Sequence, residues 1–178
     1  MKKLVATLMA LVMLFAVTAL AEEAEKPSFT GGVQFGMDMD AVMACVPMTN
    51  PEIEKELTRG PVAFMEVEYD NVDDGSGTKY DLKYLFVDNA LVAIHYDMAD
   101  GTVYETIKAQ LAERFGEIVP FDAAKIGNGK YAVDDDGDLK DCKEMIEGNG
   151  VTAVLEQDHD GDVDVTLLDP TAAYLTIQ

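Results

Sequence analysis

Apolar and polar positions alternate along three stretches in the middle of the chain. Ala63, Met65, Val67 and Tyr69 share one parity, with Glu66 and Glu68 on the other. Tyr80, Leu82, Tyr84 and Phe86 repeat the pattern against Lys79, Asp81 and Lys83, and Val92, Ile94, Tyr96 and Met98 do so against His95 and Asp97. A period of two belongs to strands with a single apolar face. The spacing therefore predicts an antiparallel sheet covered on one side and wet on the other. Asp88-Asn89 separates the second run from the third and accepts positive φ, which suits a tight hairpin. Asp70 to Thr78, rich in Asp and Gly, reads as a longer hairpin loop.

Elsewhere the period is helical. Val103, Ile107, Leu111 and Phe115 recur every four residues, behind a Thr102-x-x-Glu105 capping box and ahead of Gly116 as a left-handed stop. Asp38 is placed to cap a shorter helix, with Met37 and Val42 closing over it and Pro47 ending it. Pro51 to Leu57 reads as a helical turn, and Leu139 to Glu147 as a helix closed by Gly148-Asn149-Gly150. Phe29 to Phe35 reads as a short strand or an extended entry, and a less regular stretch from Glu117 to Lys130 leads to a short strand at Tyr131 to Val133. Val151, Ala153 and Leu155 pair with Val163, Val165 and Leu167 across a turn at 158–161, and Ala172 to Ile177 reads as a last strand. The expected fold is α+β: antiparallel sheet packed on one face by helices, in two helix-plus-sheet halves, 29–116 and 117–178.

The start of the chain reads differently. Lys2 and Lys3 precede an uncharged run from Leu4 to Leu20, Ala19-Leu20-Ala21 has the small-x-small cleavage pattern, and Glu22, Glu23 and Glu25 follow. That order predicts a secretory signal peptide over 1–21 and a polar, flexible stretch over 22–28. A membrane anchor is the rival reading, but the run sits at the short limit for spanning. No cysteine follows Ala21 to take a lipid. Cleavage would leave 157 residues carrying 34 acidic and 11 basic side chains. A chain of that size buries about 70% of its unfolded surface, enough for a core without staples.

Charge narrows the partners. The whole chain has 34 acidic against 13 basic residues, a net of −21, which disfavours nucleic acid and, once the signal is removed, anionic membrane. The excess is concentrated between Asp134 and Asp169, where 13 acids face only Lys140 and Lys143. Asp134, Asp135, Asp136 and Asp138 form its densest run. It reads as a solvated face that keeps an exported protein soluble, or as a patch for another protein or a cationic ligand. Cys45 and Cys142 are the only cysteines. In an oxidising compartment they suggest one disulfide, and as residues on apolar stripes they read equally as two buried thiols.

Three segments carry a likeness. Phe35-Gly36-Met37-Asp38-Met39-Asp40-Ala41-Val42 is similar to the G-M-[ST]-x-x-x-V helix start of small exported domains related to BamE/SmpA and to β-lactamase inhibitor protein. Tyr84 to Val92 resembles their Y-x-F-x-[DN]-[GN]-x-L hairpin, and Tyr104 to Gly116 resembles the helix of secreted proteins in that group ending [KR]-[YF]-G. The likeness spans roughly 29–116. It implies an envelope or extracellular domain that works by protein–protein contact. The lipobox of BamE and any tryptophan are missing, and no inhibitory loop matches residue by residue, so no functional residue is carried over.

Chemistry-bearing residues are thin. His95, on a wet strand face, and His159, in a turn, are expected to be solvated. Ser28 and Ser76 lie in polar loops outside any nucleophile elbow, and Gly127-Asn128-Gly129-Lys130 lacks the spacing of a phosphate loop. No catalytic set is assigned and no enzyme is expected. Calcium is the sharper alternative. Asp158, Asp160 and Asp162 look like a hard-cation loop, but Leu167 stands where the bidentate Glu of an EF-hand belongs. The expectation is an exported, non-enzymatic binding module of the envelope or extracellular space, inhibitor-like in one version. Second to it stands a calcium-associated acidic surface domain, and third a small hydrolase with paired carboxylates.

Overall fold

The computed structural model describes residues 27–46, 52–59, 62–73, 79–98, 103–122, 144–157 and 161–172. Among these, eight strands form one antiparallel sheet: β1 (Glu52–Arg59), β2 (Val62–Asp73), β3 (Lys79–Val87), β4 (Ala90–Met98), β5 (Glu117–Pro120), β6 (Glu144–Gly148), β7 (Val151–Gln157) and β8 (Val163–Leu168). Their spatial order is β1-β2-β3-β4-β8-β7-β6-β5. Two α-helices, α1 (Met39–Cys45) and α2 (Tyr104–Phe115), and a 3₁₀ turn at Thr30–Gly32 complete the described elements. The fold is a sheet-dominated α+β arrangement. Twice along the chain a helix precedes a four-stranded meander, and the closing strands of the two meanders, β4 and β8, pair at the centre of the sheet.

The alternation predicted for the central strands is present. Val67 and Tyr69 on β2, Tyr80, Leu82, Tyr84 and Phe86 on β3, and Ile94, Tyr96 and Met98 on β4 are all buried in one cluster. Asp88 and Asn89 join β3 to β4 with φ of 49° and 63°, the two positive values that a type I′ hairpin requires. One position shifts. Leu85 pairs with Ala93 and Phe86 with Leu91, so Val92 is an extra residue in β4. This bulge gives Leu91, not Val92, the place on the inner face.

Ile107, Leu111 and Phe115 of α2 are buried in the same cluster, as their four-residue spacing predicts. Val103 departs from that stripe: it is the N-cap, 48% exposed, and offers no side-chain cap. Thr102 lies outside the described residues. Asp38 caps α1 as expected, its carboxylate accepting the Ala41 N–H at 2.8 Å. The chain ahead of α1 is tied to the sheet by two backbone bonds. Gly36 N–H donates to the Leu91 carbonyl and Leu91 N–H to the Met37 carbonyl, each at 2.8 Å.

Four expectations are corrected. Phe29 to Phe35 forms a 3₁₀ turn flanked by a Ser28–Gln34 bridge, because Gly31 and Gly32 take φ of 75° and 88°. The expected helical turn at Pro51 to Leu57 is instead β1, paired with β2 from Glu52–Glu68 to Arg59–Val62. The helix expected over Leu139 to Glu147 is, where described, strand β6. Its Gly148-Asn149-Gly150 tail is a hairpin turn with Asn149 and Gly150 at φ of 46° and 73°. An Asn-Gly pair between apolar runs favours that hairpin over a helix stop. Finally, the stretch after Gly116 is not irregular at its start, since Glu117–Pro120 pairs with β6 as β5.

The sheet is also not wet along the whole of one side. Six consecutive β7 residues, Val151 to Glu156, are buried, so both faces of β7 are covered. Thr152, Glu156 and Thr166, on the face opposite the main cluster, are 8%, 4% and 2% exposed. The expected strand at 131–133 lies outside the described residues, as do 1–26 and all of the expected Ala172 to Ile177 strand beyond Ala172 itself, which is not in a strand.

Candidate functional site on the outer face of the sheet

The face opposite the main cluster is here called the outer face, and cross-strand register arranges it in rows. Neighbouring strands lie about 4.8 Å apart, so residues directly opposite each other meet side chain to side chain. One row runs Glu68, Lys83, His95, Thr166, Val154 across β2, β3, β4, β8 and β7. The next runs Asp81, Asp97, Asp164, Glu156 across β3, β4, β8 and β7. Four carboxylates thus stand in register on four adjacent strands.

The polar row is organised. Lys83 Nζ meets Glu68 Oε1 at 3.3 Å, with both side chains about one-fifth exposed. His95 Nδ1 lies 3.0 Å from Thr166 Oγ1, and its Nε2 lies 3.8 Å from Asp164 Oδ1. The expected solvated histidine is therefore corrected: the His95 side chain is only 15% exposed and engages β8. Like charges directly opposite oppose pairing, so the carboxylate row works against the sheet while Lys83 and His95 lie beside it. Over β2 to β4 this face is charged and partly open, with Glu66, Glu68, Asp81 and Lys83 half-buried and Asp97 exposed.

The inner face carries a second polar group, a set of tyrosines. Tyr69 and Tyr84 meet edge to face at 6.2 Å, and Tyr80 and Tyr96 lie tilted at 5.8 Å. Burial pushes the Tyr84 hydroxyl well above the ordinary tyrosine range, and Tyr69, Tyr80 and Cys45 add to it. Burial does the same for Tyr96, with Tyr84 and Tyr80 adding and Arg114 opposing. Arg114 is itself lowered by burial; its Nη2 donates to the Ser28 carbonyl at 2.7 Å and its guanidinium lies over the Phe115 ring. Burial thus favours the protonated form of the Tyr84 and Tyr96 hydroxyls. At the edge of this face Lys108 is raised by its bonds to Glu144 and then Glu105, at 2.8 and 3.0 Å.

Cys45 carries a free thiol, half-buried against the main cluster at the end of α1. Cys142, its expected partner or fellow buried thiol, lies outside the described residues. So do Asp134, Asp135, Asp136, Asp138, Asp158, Asp160 and His159. Of the calcium candidates only Asp162 is described, half-exposed beside Gly161 at φ 98°. Among the described residues no three His, Cys, Asp or Glu groups converge to hold a metal ion, and no helix is long and apolar enough to cross a membrane. The carboxylate row escaped sequence reasoning because alternation places Asp81, Asp97 and Asp164 on outer faces without saying which stand opposite which. Comparison with family models, with curated proteins and with solved structures returns no match.

Proposed function

We propose that this chain is an exported, non-enzymatic module that binds a cationic protein partner through the outer face of its first meander, with its helices on the opposite face. One observation carries the reading. Glu66, Glu68, Asp81 and Asp97 present carboxylates on a partly open face of β2, β3 and β4, whose other face is fixed by a dense aromatic and aliphatic core. A rigid sheet holding several charges at set spacing offers electrostatic complementarity at low ordering cost. The chain's net charge of −21 would steer such a partner from a distance. The signal-peptide pattern at 1–21 and the likeness of 29–116 to the BamE and β-lactamase-inhibitor group fit an envelope or extracellular setting for this role. An inhibitor of a secreted enzyme and an envelope assembly accessory are its two versions.

The test is a capture experiment from culture supernatant at low and at high salt, run with the parent and with Glu66→Lys/Glu68→Lys/Asp97→Lys. A protein retained by the parent at low salt, released by salt and missed by the variant supports the reading. Equal capture by parent and variant removes the outer face from it, and no capture at low salt removes the cationic partner.

A further inference from the structure

We propose that His95 is a proton-controlled fastener on the seam between the two meanders. The seam is the β4–β8 pairing, six residue pairs from Ala93–Leu168 to Met98–Val163. On its outer side His95 reaches from β4 to two residues of β8, with Nδ1 3.0 Å from Thr166 Oγ1 and Nε2 3.8 Å from Asp164 Oδ1. The second distance is too long for a neutral hydrogen bond but within reach of an ion pair, so protonation changes what the seam gains.

The charges around the ring favour its cationic form. From β4 itself comes Asp97, from β8 Asp164, from β7 Glu156 beyond it, and from β3 Asp81 and Lys83. Lys83 is the one cation among them, and Glu68 engages it at 3.3 Å. Asp97 stands directly opposite Asp164, a like-charge pair across the same seam. An imidazolium beside that pair weakens their repulsion, whereas a neutral ring does not. The direction follows from linkage. The cation meets Asp164 only when the chain is folded, and on this proposal that gain outweighs the cost of burying the charged ring, whose side chain is 15% exposed. The folded chain then holds the proton more tightly than the unfolded one. Stability contributed by His95 is present below the imidazole range, about pH 6.5, and is lost as pH rises through it.

His95 and His159 are the only histidines in the chain, so each can be removed separately. Melting temperatures of the parent, His95→Gln, His159→Gln and Asp164→Asn are measured from about pH 5.5 to about pH 8, where carboxylates stay ionised. The parent and His159→Gln are expected to fall by about 2–4 °C more across that range than His95→Gln or Asp164→Asn. Parallel curves for the parent and His95→Gln, or a slope that vanishes in His159→Gln instead, overturn the proposal. Should His95→Gln fail to fold, proton NMR of the imidazole resonances in the parent and Asp164→Asn replaces it. A His95 midpoint that falls in Asp164→Asn supports the fastener, and an unmoved midpoint rejects it.

Discussion

Gly116 and Gly148 lie backbone against backbone where α2 meets the β6–β7 hairpin. A Cβ on Gly116 would stand 2.5 Å from the Glu147 carbonyl oxygen, and one on Gly148 would overlap the carbonyl oxygen of Phe115. Both glycines also hold positive φ, 137° and 152°. Asn149 Nδ2 closes the contact by donating to the Arg114 carbonyl at 2.7 Å. Because backbone and not a flexible side chain is in the way, Gly148→Ala has no cheap relaxation. It is expected to cost at least about 2 kcal/mol, lowering the melting temperature by about 4–8 °C. An unchanged melting curve would show that the junction can open without loss.

The Asp38 cap should behave as a single hydrogen bond at a helix start. Asp38→Ala leaves the Ala41 N–H without its acceptor and is expected to cost about 1 kcal/mol, whereas Asp38→Asn should retain most of the stability. Urea unfolding of the two variants measures the difference. Equal midpoints for Ala and Asn would remove the cap from the account.

Leu111 tests the docking of α2. It is fully buried, one turn from both Ile107 and Phe115. Leu111→Ala is expected to lose about 2–5 kcal/mol through lost transfer energy and the cavity left behind. Exposed Glu113 on the same helix, replaced by Ala, should change stability by no more than about 0.5 kcal/mol. If the two variants unfold at the same denaturant concentration, the helix does not pack as described.

The buried tyrosines predict an alkaline limit. Burial raises Tyr84 and Tyr96 above the ordinary tyrosine value, so the folded chain retains protons that the unfolded chain releases. Stability is whole below about pH 10 and falls as pH rises beyond it. Absorbance at the tyrosinate band should therefore show these two groups ionising together with unfolding, not before it. Tyr96→Phe should extend the folded range upward. Early, reversible ionisation of all seven tyrosines in a folded chain would contradict the packing.

The parts that were legible share one property: their signal is contained in a window of a few residues. The parity of Tyr80 to Phe86, the four-residue stripe of Ile107 to Phe115, the Asp38 cap and the Asp88-Asn89 turn all follow from neighbours along the chain. Where two local readings competed, the chain ran the other way. Met145 and Ile146 fit a short helix as well as a strand, and pairing with β7 chose the strand. Glu52 to Arg59, rich in charged helix formers, is held extended by its ladder to β2. Val92 lost its inner place to Leu91 through one bulge, which no count of alternation could foresee.

From composition and periodicity alone came a sheet-bearing α+β protein of strongly acidic composition, because side-chain hydrophobicity and backbone period are local properties. The partnership of β4 with β8, the rank of carboxylates across four strands and the lodging of His95 between Thr166 and Asp164 came from long-range pairing. The β4–β8 pairs among them join residues about seventy positions apart. A strand's own pattern says which way its side chains point, but its neighbour is selected by the free energy of the whole sheet.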